Sequence, residues 1–133
     1  MGQGDALKRL AMLLALAACA PDETASAFAE DATYLLETID GASLPRPATL
    51  VFDGPGRIGG QGPCNAWGAR LTVPYPWFAI DGIEGDAMAC PGAGEERYFD
   101  ALRAMEFAEI QGPVLILSNA AGRQMVFRAA VTR

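Results

Sequence analysis

The chain has 133 residues, a length that suits one domain and is too short for two ordinary ones. It is 51% hydrophobic and 20% charged, which argues against disorder, and its formal net charge of −6 disfavours a nucleic-acid partner. It contains no histidine, which excludes Ser-His-Asp and Cys-His triads and most zinc sites.

Residues 1–18 predict a secretory signal. Two basic residues, Lys8 and Arg9, precede an apolar run that leads directly to Cys19. This run is about half as long as a membrane-spanning helix needs to be. Leu16–Cys19 resembles a bacterial lipobox, in which the leader is cut before the cysteine and the thiol is acylated. We therefore predict a lipidated cysteine that attaches the protein to a membrane through several acyl chains.

The residues after the cysteine bear on location. The residue after the cysteine is Ala20 and not Asp. By comparison with other lipoproteins, this favours the outer membrane, with the domain facing the periplasm. Ala18–Ala20 and Ala25–Ala27 also fit the small-x-small pattern of ordinary leader cleavage, so a soluble periplasmic protein is the alternative. The acidic, alanine-rich segment 19–32 predicts a flexible tether.

Short apolar runs between turn residues predict an all-β domain over residues 33–129. The expected strands are Thr33–Ile39, Ala48–Phe52, Arg57–Gly60, Trp67–Val73, Phe78–Ile83, Phe107–Ile110, Val114–Ser118 and Gln124–Arg128. Glu95–Met105 instead has apolar residues at helical spacing and acids in its first turn, which predicts one amphipathic helix. The predicted fold is mainly β (α+β): a small antiparallel β-barrel of about eight short strands, closed at one end by the helix.

Cys64 and Cys90 are the two cysteines that remain after the lipidated one. In an exported protein such a pair indicates a structural disulfide, and two free buried thiols are the alternative. In the chain-entropy model, closing a loop of about 27 residues stabilises the fold by about 3.5 kcal/mol. Because a metal site would need further ligands in a chain without histidine, we predict no metal and no cofactor.

Asn65 follows Cys64 and is the first candidate for a binding surface. Its side chain can bond its own backbone and hold a tight chain path, which is the usual role of asparagine in a turn. The alternative is an amide that contacts a ligand at the mouth of the barrel.

Four aromatic residues, Trp67, Tyr75, Trp77 and Phe78, lie close together in sequence. Aromatic residues in strands usually pack in the core, whereas aromatic residues beside rigid prolines lose little entropy when they bind a sugar or a peptide. Because a proline precedes both Tyr75 and Trp77, these two are the candidates for a binding surface.

Several short segments occur in a fixed order along the domain. They are Ile39–Gly41, Ala48–Phe52, Arg57–Gly60, Cys64–Asn65, Met88–Cys90, the helix with Glu95, Phe99 and Leu102, then Leu115–Leu117, Gly122 and Phe127. This order resembles the META domain family, also called HslJ-like, over Thr33–Ala129. The resemblance implies a small β-rich barrel with one helix. In bacteria such proteins are often envelope lipoproteins, some associated with heat response or antibiotic tolerance, and no enzymatic activity is established for them.

We therefore expect a non-catalytic envelope module with a binding or stress-protective role. Its expected partners are the membrane, through the lipid anchor, and an unidentified envelope protein or cell-wall component. The alternative is a carrier whose barrel interior holds a small apolar ligand. A third hypothesis is a hydrolase that works with carboxylates. A filled, helix-plugged interior would favour the binding module over the carrier.

Overall fold

The computed structural model describes residues 21–29 and 31–130, so Cys19 and the predicted leader lie outside the described residues. A short 3-10 helix, Ala25–Phe28, comes before the strands. The strands are β1 (Thr33–Ile39), β2 (Thr49–Val51), β3 (Arg57–Gln61), β4 (Ala66–Leu71), β5 (Ile80–Gly85), β6 (Phe107–Gln111), β7 (Val114–Ser118) and β8 (Gln124–Ala129), with the helix α1 (Glu95–Ala104) between β5 and β6. Each predicted strand and the predicted helix are confirmed, with ends that differ by a few residues.

The strands form one antiparallel sheet in the order β5-β4-β3-β2-β1-β8-β7-β6. Strands that follow each other in the chain pair up, except β5 and β6, which are the two edges of the sheet. At the centre, the first strand, β1, pairs with the last, β8. The sheet curls as a half-barrel, which confirms the mainly β fold with one helix.

The connection between β4 and β5 covers part of the free edge of β6. Phe78 N donates a hydrogen bond to Glu106 O, and Ala108 N donates to Pro76 O, both at 2.8 Å. A residue pair between Trp77 and Phe107 continues this contact. Residues 76–78 therefore act as a short extra strand beside β6, at the edge of the sheet.

A β-bulge in β1 brings both ends of that strand into the core. Tyr34 and Ile39 are both buried, although residues five positions apart normally face opposite sides of a strand. The pairing with β8 shifts between Leu36 and Thr38, which leaves Glu37 as the extra residue and reverses the alternation. Leu35 accordingly faces outward.

The buried side of α1 packs into the same core as the sheet. Tyr98, Ala101 and Leu102 are fully buried, which confirms the predicted apolar stripe, while Phe99 lies half-buried at its edge. Strand side chains complete this core, among them Leu50, Ile58, Leu115, Leu117, Met125 and Phe127, all fully buried. In the described part of the chain, no helix has the length and apolar character needed to cross a bilayer.

The prediction of a flexible tether is wrong for residues 22–29. Ala25 and Ala29 are buried in the same core as the strands. Asp22 accepts hydrogen bonds from the backbone N–H of Thr24 at 2.9 Å and from the hydroxyl groups of Thr24 and Ser26. The segment is thus folded onto the domain rather than extended away from it.

Candidate functional site

A disulfide joins the β3–β4 loop to the segment that leads into α1. Cys64 and Cys90 are bonded, with their Cα atoms 5.9 Å apart, which confirms the predicted bridge. This Cα separation is the usual one for a disulfide. The bond fixes the short β3–β4 loop, residues 62–65, against the segment 86–94 beside the start of the helix.

Asn65, the residue after the first cysteine, is 7% exposed and ties the same two loops together. Met88 N donates to Asn65 Oδ1 at 2.9 Å, and Asn65 Nδ2 donates to Met88 O at 3.0 Å. The asparagine amide thus pairs with Met88 as a neighbouring strand would. The side chain of Asn65 does not make the predicted bond to its own local backbone. It bonds the Met88 backbone instead, 23 positions away.

Glu95, the first residue of α1, completes the network. Its Oε2 accepts from Asn65 N at 2.9 Å, and its Oε1 accepts from Asn65 Nδ2 at 3.2 Å. Gly94 before it adopts a φ of 89°, the left-handed region that glycine favours, and a Cβ there would approach Pro45 Cδ to 3.1 Å. Both carboxylate oxygens of Glu95 are therefore engaged in holding the loop against the helix.

An open groove of about 850 Å³ runs between this network and α1. On the loop side it is lined by the disulfide, Asn65, Met88 and Ala89, and on the helix side by Glu95, Glu96, Arg97, Phe99, Asp100 and Arg103. The Met88 side chain is 62% exposed. Among the residues that the structure describes, no group of three His, Cys, Asp or Glu side chains is placed to hold a metal ion.

A second feature, which we call the aromatic surface, consists of two aromatic pairs, Phe28 with Tyr75 and Trp77 with Phe107, which the chain segment 75–77 joins. The rings of Phe28 and Tyr75 stack with centroids 4.5 Å apart, and those of Trp77 and Phe107 lie 5.0 Å apart. Phe28 is 57% and Trp77 54% exposed, whereas Tyr75 and Phe107 are half-buried. Tyr75 Oη accepts a hydrogen bond from Ile110 N at 3.2 Å, which fixes the ring against β6.

The other two aromatic candidates, Trp67 and Phe78, are buried in the core as strand residues usually are. Trp67 packs edge-on to Tyr98 and Phe99, with centroids 6.0 and 5.8 Å away. Its Nε1 is buried and has no hydrogen-bond acceptor among the described residues.

Burial raises the pKa of the Tyr98 phenol, whose hydroxyl donates to Thr49 O at 3.3 Å, so this phenol stays protonated.

The sequence candidates thus fall into two places. Tyr75 and Trp77 share the aromatic surface, whereas Asn65 belongs to the network beside the groove and has no hydrogen-bond partner in that surface. Sequence reasoning missed Phe28 and Phe107 as members of the aromatic surface. One signal for Phe28 was available in the sequence, because a large aromatic residue is unusual in a segment that is expected to be a flexible tether.

Comparison with known proteins identifies the domain. The META domain model matches residues 26–132. An NMR structure of a protein from Burkholderia xenovorans is similar with a TM-score of 0.64 and 19% identity, covering 85% of this chain and 93% of that one. A second NMR structure gives a TM-score of 0.59 at 17% identity, covering 77% and 92%. At these identities the two structures show the fold alone. Among curated proteins, none matches the chain significantly.

Proposed function

We propose, on the premise that this chain belongs to the META domain family, that it is a non-catalytic binding module of the cell envelope. In this proposal it is anchored by lipid at Cys19, faces the periplasm from the outer membrane, and binds a segment of an envelope protein. The observation that carries the proposal is the groove beside the Cys64–Cys90 disulfide, because its walls are held by a covalent bond and by the Asn65 network.

The lining of the groove suits a peptide segment. Apolar surface comes from Met88 and Phe99, and α1 adds charges of both signs, Glu96 and Asp100 with Arg97 and Arg103. An apolar centre with a polar, charged rim is the usual anatomy of a protein–protein contact. The open shape suits an extended chain more than an enclosed small molecule.

Two observations support a role without catalysis. The absence of histidine from the sequence removes the most common general base. Glu95, the carboxylate within the network, is already bonded through both oxygens to Asn65.

The core, which side chains of the helix and the strands occupy, supports binding at the surface rather than inside the barrel. We assign this binding a protective role during envelope stress, in keeping with the family resemblance.

The packing of the N-terminal segment supports the lipid anchor over ordinary cleavage after Ala27. Such cleavage would remove Ala25 and Ser26, which are both buried against the domain. Cleavage before Cys19 leaves this segment intact. Lipidation at Cys19 keeps the observed packing, as cleavage after Ala20 also would, so the packing argues only against cleavage after Ala27.

Photo-crosslinking in intact cells tests partner binding at the groove. A photoreactive amino acid at Asp100 is expected to give one defined adduct with an envelope protein, identified by mass spectrometry. Met88→Asp, which puts a charge on the apolar part of the groove, is expected to abolish that adduct. Leu35→Asp is the matched control, since Leu35 is exposed on the outer side of β1, and it is expected to leave the adduct unchanged.

Loss of the adduct in both variants, or in neither, would contradict binding at the groove. Heat survival tests the protective part of the proposal. A strain that lacks the protein is expected to regain survival when it expresses the wild type or the Leu35→Asp variant. The Met88→Asp variant is expected not to restore survival. Equal restoration by all three would count against the link between the groove and stress protection.

A further inference from the structure

We infer that the aromatic surface of Phe28, Tyr75, Trp77 and Phe107 contacts the membrane that carries the lipid anchor. The contact holds the domain in one orientation against the bilayer. This inference rests on the proposed lipidation of Cys19, and it replaces the picture of a domain at the end of a loose tether.

The first step is the docking of the N-terminal segment on this side of the domain. Tyr75 N donates to Glu23 O at 2.7 Å, and Gly56 N donates to Ser26 Oγ at 3.0 Å. Phe28 stacks on the Tyr75 ring itself. The chain that leads back to the cysteine is therefore fixed at the aromatic surface.

The second step is the short reach between the anchor and that point. Only four residue steps separate Cys19 from Glu23, and a fully extended chain of that length spans at most about 14 Å. Glu23 is bonded to the Tyr75 backbone. An acylated cysteine consequently brings the bilayer close to the aromatic surface, whatever path the intervening residues take.

The third step is the chemistry of the surface. Tryptophan and tyrosine concentrate where a membrane meets water, because their rings are apolar and each carries one polar group. The rings of Phe28 and Phe107 add apolar area beside Tyr75 and Trp77. The net charge of −6 opposes attraction to anionic lipid, so the contact suits uncharged, zwitterionic headgroups. Since several acyl chains already supply affinity, the aromatic surface sets orientation rather than attachment.

The test uses the full, mature protein purified with its lipid and reconstituted into phosphatidylcholine vesicles. Some of the vesicles carry bromine, a fluorescence quencher, on the upper part of the lipid chains. The emission of Trp77 is the wild-type signal minus that of Trp77→Phe, which leaves the buried Trp67 as an internal reference. We expect brominated lipid to quench most of the Trp77 emission and to leave that of Trp67 largely unchanged.

Two variants sharpen the result. Phe28→Ser is expected to reduce the quenching of Trp77, because it removes apolar area beside the anchor. Leu35→Ser is the matched control, as Leu35 is an exposed apolar residue outside both the aromatic surface and the groove, and the quenching of Trp77 in this variant is expected to equal that of wild type. Both variants are expected to remain bound to the vesicles through their lipid.

The failures of the two proposals are distinguishable. An acylated protein whose Trp77 is not quenched by brominated lipid overturns the membrane contact and leaves the anchor intact. If that Trp77 is also shielded from acrylamide in the water phase, a second copy of the chain covers the aromatic surface instead, and the inference is again overturned. A mature protein without acyl chains overturns both the anchor and the contact that depends on it.

Discussion

Asn65 and Met88, 23 positions apart in the chain, exchange two hydrogen bonds, between the side-chain amide of Asn65 and the backbone N–H and C=O of Met88. The amide offers an acceptor and a donor in the arrangement that a neighbouring strand would offer. The disulfide and the amide pair join the same two segments, and Glu95 joins the Asn65 loop to the helix.

Replacing Glu95 by Gln is expected to destabilise the domain by about 1–3 kcal/mol. Glutamine keeps one oxygen but turns an NH2 group toward an N–H of Asn65, so one donor loses its acceptor. Glu96→Gln is the matched control, because that side chain is exposed and makes no such bond. Urea denaturation measures both free energies of unfolding. Equal stability of the two variants would contradict the structural role of Glu95.

Removal of the disulfide is expected to lower the free energy of unfolding by about 3.5 kcal/mol. The double variant Cys64→Ser, Cys90→Ser frees a loop whose ends lie 26 positions apart and raises the entropy of the unfolded chain. Urea denaturation of the wild type with and without a reductant gives an independent value. A wild type whose stability does not respond to the reductant would show that the bond is not formed in solution.

Leu102→Ala is expected to cost about 2–5 kcal/mol, because it leaves a cavity in the core beneath α1. Phe99→Ala is expected to cost less, since Phe99 is only half-buried. Asp100→Ala is the control and is expected to change little, because its ion pair with Arg103 is exposed. Thermal denaturation ranks the three variants. Equal melting temperatures would mean that this stripe of the helix does not pack in the core.

Acid is expected to loosen the N-terminal segment through Asp22. Burial raises the pKa of this carboxyl, but hydrogen bonds from Ser26 and Thr24 outweigh burial and hold the pKa below its usual value. A lowered folded-state pKa means that the stabilisation is present above the unfolded pKa, near 4, and is lost as the pH falls through the folded value.

Amide hydrogen exchange of Gly56, which donates to Ser26, reports this loosening. We expect the protection of this amide, measured as its exchange rate relative to the intrinsic rate at the same pH, to fall in acid for wild type and to be low already at neutral pH for Asp22→Asn. Glu23→Gln is the control, because Glu23 uses its backbone oxygen and not its side chain to bond Tyr75. A wild-type protection that does not change between neutral pH and acid would contradict the role of Asp22.

The strand and helix order was predictable because alternation and helical spacing are local signals. The bulge at Glu37 was not, since only the pairing of β1 with β8 shows which residue is extra. The same holds for that pairing itself, which joins strands from opposite ends of the domain.

The site was predictable only in part. Cysteine count and export indicated the disulfide, and neighbouring prolines pointed to Tyr75 and Trp77 as surface residues. The partners of Asn65 lie 23 and 30 positions away, beyond any local rule. The segment around Ala25 was predicted to be a tether because its side chains are small and acidic residues surround them, yet Ala25 is buried against the domain.

The most direct test of a lipid-anchored envelope module is the mass of the mature amino terminus. Mass spectrometry of the protein purified from its membrane is expected to find a chain that begins at Cys19 and carries acyl groups on that residue. An unacylated amino terminus at Pro21 or Phe28 would contradict the anchor and, with it, the orientation that we infer for the aromatic surface.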